Sequence, residues 1–391
     1  MRGSIRKRGR DSWTVIVDLG RDPVTRKRRQ ISKAVRGTKR DAEAFLVQVL
    51  HERDTGVERP IGRVSVAAYL DRWLEDYGRT NLAPKTLATY RDVVRVHLTP
   101  TLGSLELVAL RPTHIQSMYS RMLVSGRRDG RGGLAARSVV RYHQILHAAL
   151  HQAVRWQLLV RNPADAVEPP RAPRRELRAT TGEQARAVMA AADATPYGSF
   201  VRLALLTGMR RGELLGLRWA DVDFDGGALA VQQTAQRIAG LGIVFRQPKT
   251  RLSRRSVAIS SDAVALLRRH RRQQVETRLL AGAAYRDRDL VFATALGTPI
   301  EPGNLRRSWL GITRAAGLPG LRVHDLRHAH ATLMLAQGVH PKVVSERLGH
   351  ASVNITLDTY SHVLPGLQAA AAEALDAVLA EPSSVASDGA V

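Results

Sequence analysis

The sequence predicts a mainly helical protein with small antiparallel β-sheets, an α+β chain divided into several domains. Its 391 residues are too many for a single hydrophobic core. Apolar residues recur with helical spacing over most of the chain after residue 64, whereas strand-like alternation is confined to the first 40 residues and to residues 226–260. The proline- and arginine-rich stretch 161–178 cannot continue a helix and is typical of an interdomain linker.

The first predicted domain, residues 1–58, is a small basic antiparallel sheet followed by one helix. Alternate residues of its second strand place four apolar side chains on one face, those of Trp13, Val15, Val17 and Leu19. A turn at residues 21–25 leads into the returning strand. The helix is expected to begin after Thr38, which can cap it, and to stop at Gly56.

The second predicted domain, residues 63–165, is a compact helical bundle. An apolar stripe with helical spacing opens it, formed by Val66, Leu70, Trp73, Leu74 and Tyr77. Pro84 is expected to begin the next helix, because the first helical position has no intrahelical partner for the N–H that proline lacks. Short loops separate the later helical segments, as in bundles of neighbouring antiparallel helices.

The third predicted domain, residues 176–380, mixes helices with strands. Three strand-like runs are expected to form one small antiparallel sheet: GGALAVQQTAQ, GIVFRQ and RRSVAIS. Residues 366–380 have high helix propensity and an apolar stripe, which predicts a further helix. Residues 381–391 are expected to be a disordered tail.

The charge of the chain indicates a polyanionic partner. Sixty Lys and Arg residues against thirty-five Asp and Glu residues give a formal net charge of +25, and nucleic acid is the first candidate for such a surplus. The absence of cysteine excludes disulfides, thiol nucleophiles and thiolate metal sites. No apolar run of about 18 residues and no signal-peptide core are present, so we expect a cytoplasmic, DNA-associated protein without a membrane partner.

Six residues in separate segments carry side chains suited to breaking a phosphodiester bond: Arg210, Lys249, His324, Arg327, His350 and Tyr360. Two guanidinium groups match the non-bridging phosphate oxygens and stabilise the charge that builds on them during attack. A tyrosine hydroxyl can act as the nucleophile when converging cations lower its pKa. A lysine can protonate the departing sugar oxygen, and histidines can accept the phenolic proton or bind phosphate.

These segments resemble the motifs of the tyrosine recombinase, or phage integrase, family. The matching stretches follow in chain order as TGMRRGE, QPKT, HDLRH, LGH and TLDTY. The resemblance implies that Arg210 and Arg327 bind the scissile phosphate and that Glu213 braces Arg210. It also implies that Lys249 is the general acid and that Tyr360 forms a 3′-phosphotyrosine.

The same resemblance implies roles for the remaining residues and for the domains. His324 is expected to act as a base or phosphate ligand, and His350 as a further partner of the phosphate or phenolate. Residues 1–58 are similar to an arm-type DNA-binding domain, residues 63–165 to a core-binding domain, and residues 176–380 to a catalytic domain.

The implied reaction is strand exchange through a Holliday junction, which integrates or excises a phage or mobile element. No metal, ATP or other cofactor is expected, because the phosphotyrosine bond stores the energy of cleavage. The expected partners are duplex DNA at core and arm attachment sites, three further copies in a tetramer, a directionality factor and a host DNA-bending factor.

Other classes of protein are compatible with parts of the sequence. Residues 336–356 resemble a helix-turn-helix with Gly338 at the turn, as in a DNA-binding regulator without catalysis. A metal-dependent nuclease would need clustered carboxylates, and no convincing cluster is seen. Zinc could be held by His324, His328 and His330, although His328 and His330 are expected to be packing or capping residues. A type IB topoisomerase shares the chemistry but lacks the arm-like domain.

Overall fold

The computed structural model describes residues 3–21, 28–54, 64–173, 180–248 and 254–360, together with the separate positions 372, 375, 376 and 379. The chain divides into two compact units, Met1–Arg174 and Arg175–Val391. The predicted fold class, mainly α with small antiparallel sheets, is confirmed. The predicted boundary between the first two domains, like the predicted end of the first helix at Gly56, lies outside the described residues. No described helix is both long and apolar enough to cross a lipid bilayer.

The first unit begins with a three-stranded antiparallel sheet in the order β1-β2-β3, followed by one helix. The elements are β1 (Gly3–Gly9), β2 (Ser12–Arg21), β3 (Arg28–Arg36) and α1 (Lys39–Asp54). Val15 and Val17 of β2 are fully buried in a cluster with Ala42 of α1, which confirms the predicted inward face at these two positions. The Thr38 hydroxyl accepts a hydrogen bond from the backbone N–H of Asp41, so the predicted cap is confirmed.

Residues 64–173, the rest of the first unit that the structure describes, are mainly helical and have four main helices: α2 (Val66–Trp73), α3 (Pro84–Val93), α4 (Pro112–Ser125) and α5 (Ala136–Arg155). Pro84 occupies the first turn of α3, as predicted. The Tyr69 hydroxyl donates to the Ala149 carbonyl oxygen at 2.5 Å and joins α2 to α5. The apolar stripe of α2 is buried through Leu70 and Trp73.

The second unit contains both helices and short strands. Its helices are α6 (Gly182–Asp193), α7 (Gly198–Thr207), α8 (Arg211–Leu215), α9 (Ser261–Ala281), α10 (Pro302–Ala315), α11 (Asp325–Ala336), α12 (Pro341–Leu348) and α13 (Val353–Tyr360). Its strands are β4 (Val222–Asp223), β5 (Ala228–Ala230), β6 (Thr234–Ile238), β7 (Gly242–Arg246) and β8 (Ser256–Ala258).

The described strands of the second unit form two sheets, so the prediction of a single sheet was wrong. One sheet has the order β4-β5-β8 and the other pairs β6 with β7. The run predicted as one strand leaves the first sheet after β5. There Gln233 donates through its side chain to the Gly216 carbonyl oxygen at 2.8 Å, next to α8. β6 begins directly after Gln233 and is in contact with α8.

Helices α7 and α11 pack against each other and carry the residues of the site described below. α7 is buried on most of its surface, and Phe200, Leu203 and Ala204 contribute to the main apolar core of the second unit. α11 contributes Leu326 and Ala329 to the same core. Because both helices are anchored in one core, the residues at their ends are held at fixed positions.

Candidate active site

Two glycines in the left-handed conformation end two helices and expose backbone carbonyls to arginines. Gly208 follows α7 with φ +64°, and Gly349 follows α12 with φ +66°. Arg327 donates to the Gly208 carbonyl at 2.9 Å and to the Leu348 carbonyl at 2.7 Å. Arg210 donates to the Gly349 carbonyl at 3.1 Å. Adjacent carbonyls at the end of α12 therefore place the two guanidinium groups side by side.

A buried carboxylate fixes Arg210 from the other side. Glu213 accepts hydrogen bonds from the backbone N–H of Arg210 at 3.0 Å and from its guanidinium at 2.8 Å, so the predicted bracing is confirmed. Arg255 binds the same carboxylate at 2.9 Å and also donates to the Arg347 carbonyl at 2.7 Å. Arg255, directly before β8, therefore connects Glu213, which holds Arg210, to the end of α12.

The electrostatics of this cluster favour binding of an anion. Burial opposes ionisation of Glu213, but Arg255 and Arg210 outweigh that effect and lower the pKa of its carboxyl group. Burial, reinforced by Arg210, lowers the pKa of Arg327 to about 9, so its guanidinium stays charged at neutral pH. The two hydrogen-bond acceptors of Arg327 are neutral carbonyls, which do not cancel its charge. A phosphate placed here would relieve the repulsion among the arginines.

Tyr360 ends α13 with its ring in an apolar cluster and its hydroxyl at the site. The ring is 2% exposed and belongs to a cluster with Ala331, Leu335 and Val344. Burial raises the pKa of Tyr360 to about 12 and outweighs the opposing effect of Arg327. Arg327 does lower this pKa, as expected of a nearby cation, but the loss of hydration on burial has the larger effect.

The histidines differ in what they contact. His328 Nδ1 lies 2.7 Å from the Tyr360 hydroxyl oxygen, and His350 Nδ1 lies 2.8 Å from the hydroxyl oxygen of buried Thr356. The His324 ring meets the His328 ring edge-on, with centroids 5.1 Å apart. Burial, followed by neighbouring positive groups, lowers the pKa of His324 and of His350 to about 4, so both are neutral at pH 7.

His324, His328 and His330 are not grouped as the ligands of a zinc site would be. His330 Nδ1 lies 2.7 Å from the Leu205 carbonyl oxygen, and its Nε2 accepts from Arg347 at 3.2 Å. His330 thus joins α11 to α7 and is not directed toward a common point with His324 and His328. Within the described parts of the chain, no three side chains of metal-ligand type are grouped.

The structure brings five of the six predicted residues into one region. Arg210 and Arg327 share the end of α12, where His350 follows directly, while His324 and Tyr360 meet through His328. Lys249 lies outside the described residues, in the connection between β7 and β8.

Two residues of this region were missed by sequence reasoning. His328 was interpreted as a packing or capping residue, and its position one turn after His324 was the signal that both imidazoles share a helix face. Arg255 was one of several arginines after Lys249, and its bond to Glu213 spans 42 residues. No local pattern distinguishes it from its neighbours.

Gly208→Ala is expected to destabilise the second unit more than Gly338→Ala does. Both glycines have positive φ, but an added Cβ at Gly208 would lie 2.5 Å from His330 Cδ2 and 2.7 Å from Leu348 Cδ2, whereas Gly338 has open space. We expect a loss of about 1 kcal/mol at Gly338 and about 1–3 kcal/mol more at Gly208. Urea unfolding of both variants measures the difference, and equal losses would contradict the close packing at Gly208.

The sequence is similar to those of known proteins over most of its length. Residues 178–366 match the Phage integrase family, and residues 65–123 match the N-terminal SAM-like domain of phage integrases. The chain is 28% identical over 389 residues to a tyrosine recombinase XerC-like protein of Caldanaerobacter subterraneus subsp. tengcongensis, which covers 95% of this chain and 97% of that protein. It is 25% identical to the ICEBs1 integrase of Bacillus subtilis, covering 96% of this chain and all of the relative.

Solved structures have the same fold. The Tn1549 transposon integrase, in complex with a circular intermediate DNA, aligns with a TM-score of 0.66 at 18% identity, over 80% of this chain and 99% of that one. A lambda integrase tetramer bound to a Holliday junction aligns with a TM-score of 0.53 at 19% identity, over 92% of this chain and 94% of that one.

Together, the fold and the family matches define a site-specific DNA recombinase of the tyrosine type. The chain belongs to the tyrosine recombinase, or phage integrase, family, as its sequence motifs predicted.

Proposed function

We propose that the chain cuts and rejoins duplex DNA through a covalent bond between Tyr360 and the DNA. Arg210 and Arg327 bind the non-bridging oxygens of the scissile phosphate and stabilise the negative charge that develops on them. The hydroxyl oxygen of Tyr360 attacks phosphorus, and the bond from phosphorus to the 5′-oxygen breaks. Lys249 supplies the proton that the 5′-oxygen takes. The products are a 3′-phosphotyrosine and a free 5′-hydroxyl.

The observation that most supports this proposal is the bonding of the two arginines to neighbouring carbonyls. Arg327 binds the Leu348 carbonyl and Arg210 binds the next one, at Gly349. A guanidinium has five N–H donors, so these bonds fix each group and leave further donors for phosphate. Arg327 is also close enough to Tyr360 to lower its pKa against the effect of burial.

The neutral histidines are suited to supporting roles at the phosphate. His324 and His350 carry no charge at pH 7, so each imidazole can form hydrogen bonds without adding to the repulsion among the arginines. His350 adjoins the Gly349 carbonyl that binds Arg210, which supports a role as a phosphate ligand.

We further propose that the active form is a tetramer on DNA in the bacterial cytoplasm, exchanging strands through a Holliday junction. Relatives include the ICEBs1 integrase and a lambda integrase tetramer bound to a Holliday junction, which supports integration and excision of a phage or other mobile element. In this proposal residues 1–58 bind arm sites, residues 63–165 and 176–380 bind the core site, and residues 381–391 form a tail. A directionality factor and a DNA-bending host factor complete the set of partners.

A nicked duplex tests the proposed chemistry directly. The core site is first selected by binding from a random-sequence pool, and a nick beside the crossover lets the short 5′-hydroxyl fragment diffuse away. We expect protein to accumulate on the 3′ side in EDTA and without ATP, with the DNA attached to the peptide that contains Tyr360. Cleavage that requires a divalent metal would favour a nuclease, and binding without cleavage would favour a regulator.

A further inference from the structure

Among the titratable residues that the structure describes, His328 is in hydrogen-bond contact with the hydroxyl of Tyr360. Its Nδ1 atom lies 2.7 Å from the hydroxyl oxygen, and the two ring centroids are 5.8 Å apart at an angle of 54°. His328 is half-buried on α11, and Tyr360 is at the end of α13. The contact therefore joins two elements of the site, and both partners are held by packing.

The polarity of this hydrogen bond follows from the protonation states of the two groups. Burial raises the pKa of Tyr360 to about 12, so its hydroxyl keeps its proton at neutral pH. Burial also lowers the pKa of His328, so its imidazole is neutral. A neutral imidazole has one donor and one acceptor nitrogen. The hydroxyl therefore donates to Nδ1, and Nε2 carries the ring proton.

The other histidines of the site are placed less well to receive the phenolic proton. His350 uses its Nδ1 in the contact with Thr356. His324 faces the His328 ring, with centroids 5.1 Å apart, and so reaches the phenol through His328. His330 is engaged by Leu205 and Arg347 on the other side of α11.

We propose that His328 is a catalytic residue that accepts the proton of Tyr360 during attack on the phosphate, an inference that rests on the proposed function. As the Tyr360 oxygen forms its bond to phosphorus, its proton moves to His328 Nδ1 and gives an imidazolium. The bond from phosphorus to the 5′-oxygen breaks, and that oxygen takes a proton from Lys249. Religation reverses each transfer and returns the proton from His328 to the phenol.

The need for such an acceptor follows from the burial of the phenol. With a pKa of about 12, only about one hydroxyl in 10⁵ is ionised at pH 7. A base already in hydrogen-bond contact removes the proton during attack, so that the phenolate does not have to form first. The scissile phosphate, when bound, would add negative charge that stabilises the imidazolium.

Substitution of His328 by asparagine separates proton transfer from hydrogen bonding. The asparagine Oδ1 atom takes the place of Nδ1 and still accepts a hydrogen bond from Tyr360, but it does not take a proton at neutral pH. We expect His328→Asn to bind the core site normally and to form the Tyr360 adduct at least about 10²-fold more slowly. Asparagine preserves any role of residue 328 in positioning Tyr360. Adduct formation near the normal rate would therefore show that His328 only positions Tyr360, and would overturn the proposal.

The same substitution elsewhere in the domain provides a matched control. His340 is exposed and caps α12 by accepting from the Lys342 N–H, and asparagine is equally suited to a cap. We expect His340→Asn to form the adduct at the normal rate. The unchanged chain is tested alongside, because an absent or misplaced adduct there refutes the proposed function itself, independently of His328.

A substrate with sulfur at the 5′-bridging position identifies which proton transfer is lost. A thiolate leaves without a general acid, so the sulfur substrate should restore cleavage to Lys249→Ala. It should leave the defect of His328→Asn unchanged, because the Tyr360 proton must still be removed. Rescue of His328→Asn by sulfur would overturn the proposal.

A further variant is used if asparagine weakens binding to the core site. In that case, cleavage by His328→Ala is measured with and without added imidazole. Restored cleavage supports the proposal, and unaltered cleavage refutes it.

Discussion

Tyr360→Phe is expected to abolish the covalent protein–DNA adduct and to leave binding to the core site nearly unchanged. The ring of Tyr360 packs in a buried apolar cluster with Ala331 and Leu335, and phenylalanine keeps that ring. The substitution removes one oxygen and its hydrogen bond to His328, which we expect to lower the free energy of unfolding by only about 1 kcal/mol. Cleavage is lost completely, because the removed oxygen is the atom that attacks phosphorus.

Labelled nicked duplex measures both properties of this variant, by retardation of the complex and by transfer of label to protein under denaturing conditions. Tyr285→Phe is the matched control, because Tyr285 is a partly buried tyrosine of the same unit that lies outside the site and stacks with Arg278. The control should form the normal adduct. An adduct of normal yield in Tyr360→Phe would show that a different residue is the nucleophile.

Sequence reasoning singled out the residues that we propose to react, because their chemistry is carried by residue type and order. Arg210 and Arg327 stand out through their motifs, TGMRRGE and HDLRH, and Tyr360 stands out through TLDTY. The hydrogen bonds that hold these side chains in place could not be predicted from the sequence. The support of Arg210 by the Gly349 carbonyl spans 139 residues, and any residue type offers a carbonyl. Such contacts depend on how α7, α11 and α12 pack, which no local pattern encodes.

The protonation state of Tyr360 and its hydrogen-bond partner could not be predicted from the sequence either. Sequence reasoning considered the charges around Tyr360 and could not include the burial of its ring, which has the larger effect on the phenol pKa. The choice among the histidines also depended on geometry, because His324 and His328 lie on one helix face and only coordinates show which of them meets the hydroxyl. Residue type therefore predicted a proton acceptor, and packing places His328, the acceptor that we propose, against the hydroxyl.

The elements of the fold were predictable where a local signal has one structural outcome. Proline at the start of α3 and the Thr38 cap of α1 are signals of this kind, and both are present. The split of the predicted sheet had no such signal. At the split, Gln233 binds the carbonyl of Gly216, just after α8, which is a tertiary contact.

Arg327→Lys is expected to reduce adduct formation by roughly 10³–10⁵-fold, as for other arginines that stabilise a transferring phosphoryl group. The guanidinium of Arg327 binds the Gly208 and Leu348 carbonyls through different nitrogens. One ammonium group at this position lacks the planar fork that satisfies both carbonyls and also binds phosphate. Rates of adduct formation on the nicked duplex measure the loss. Arg322→Lys is the matched control, because Arg322 pairs with Asp325 near the surface and lysine keeps that charge.

The pH dependence of the Arg327→Lys variant separates geometry from charge. The environment of residue 327 lowers the arginine pKa to about 9, so the unchanged chain keeps this cation throughout the neutral range. A lysine, with an ordinary pKa of about 10.4, would be brought close to neutral pH by the same burial. Any residual cleavage by the variant should therefore fall as the pH rises from 6.5 to 8.5, because the ammonium loses its proton. Near-normal cleavage by the variant at all of these pH values would show that Arg327 does not bind the phosphate through its fork.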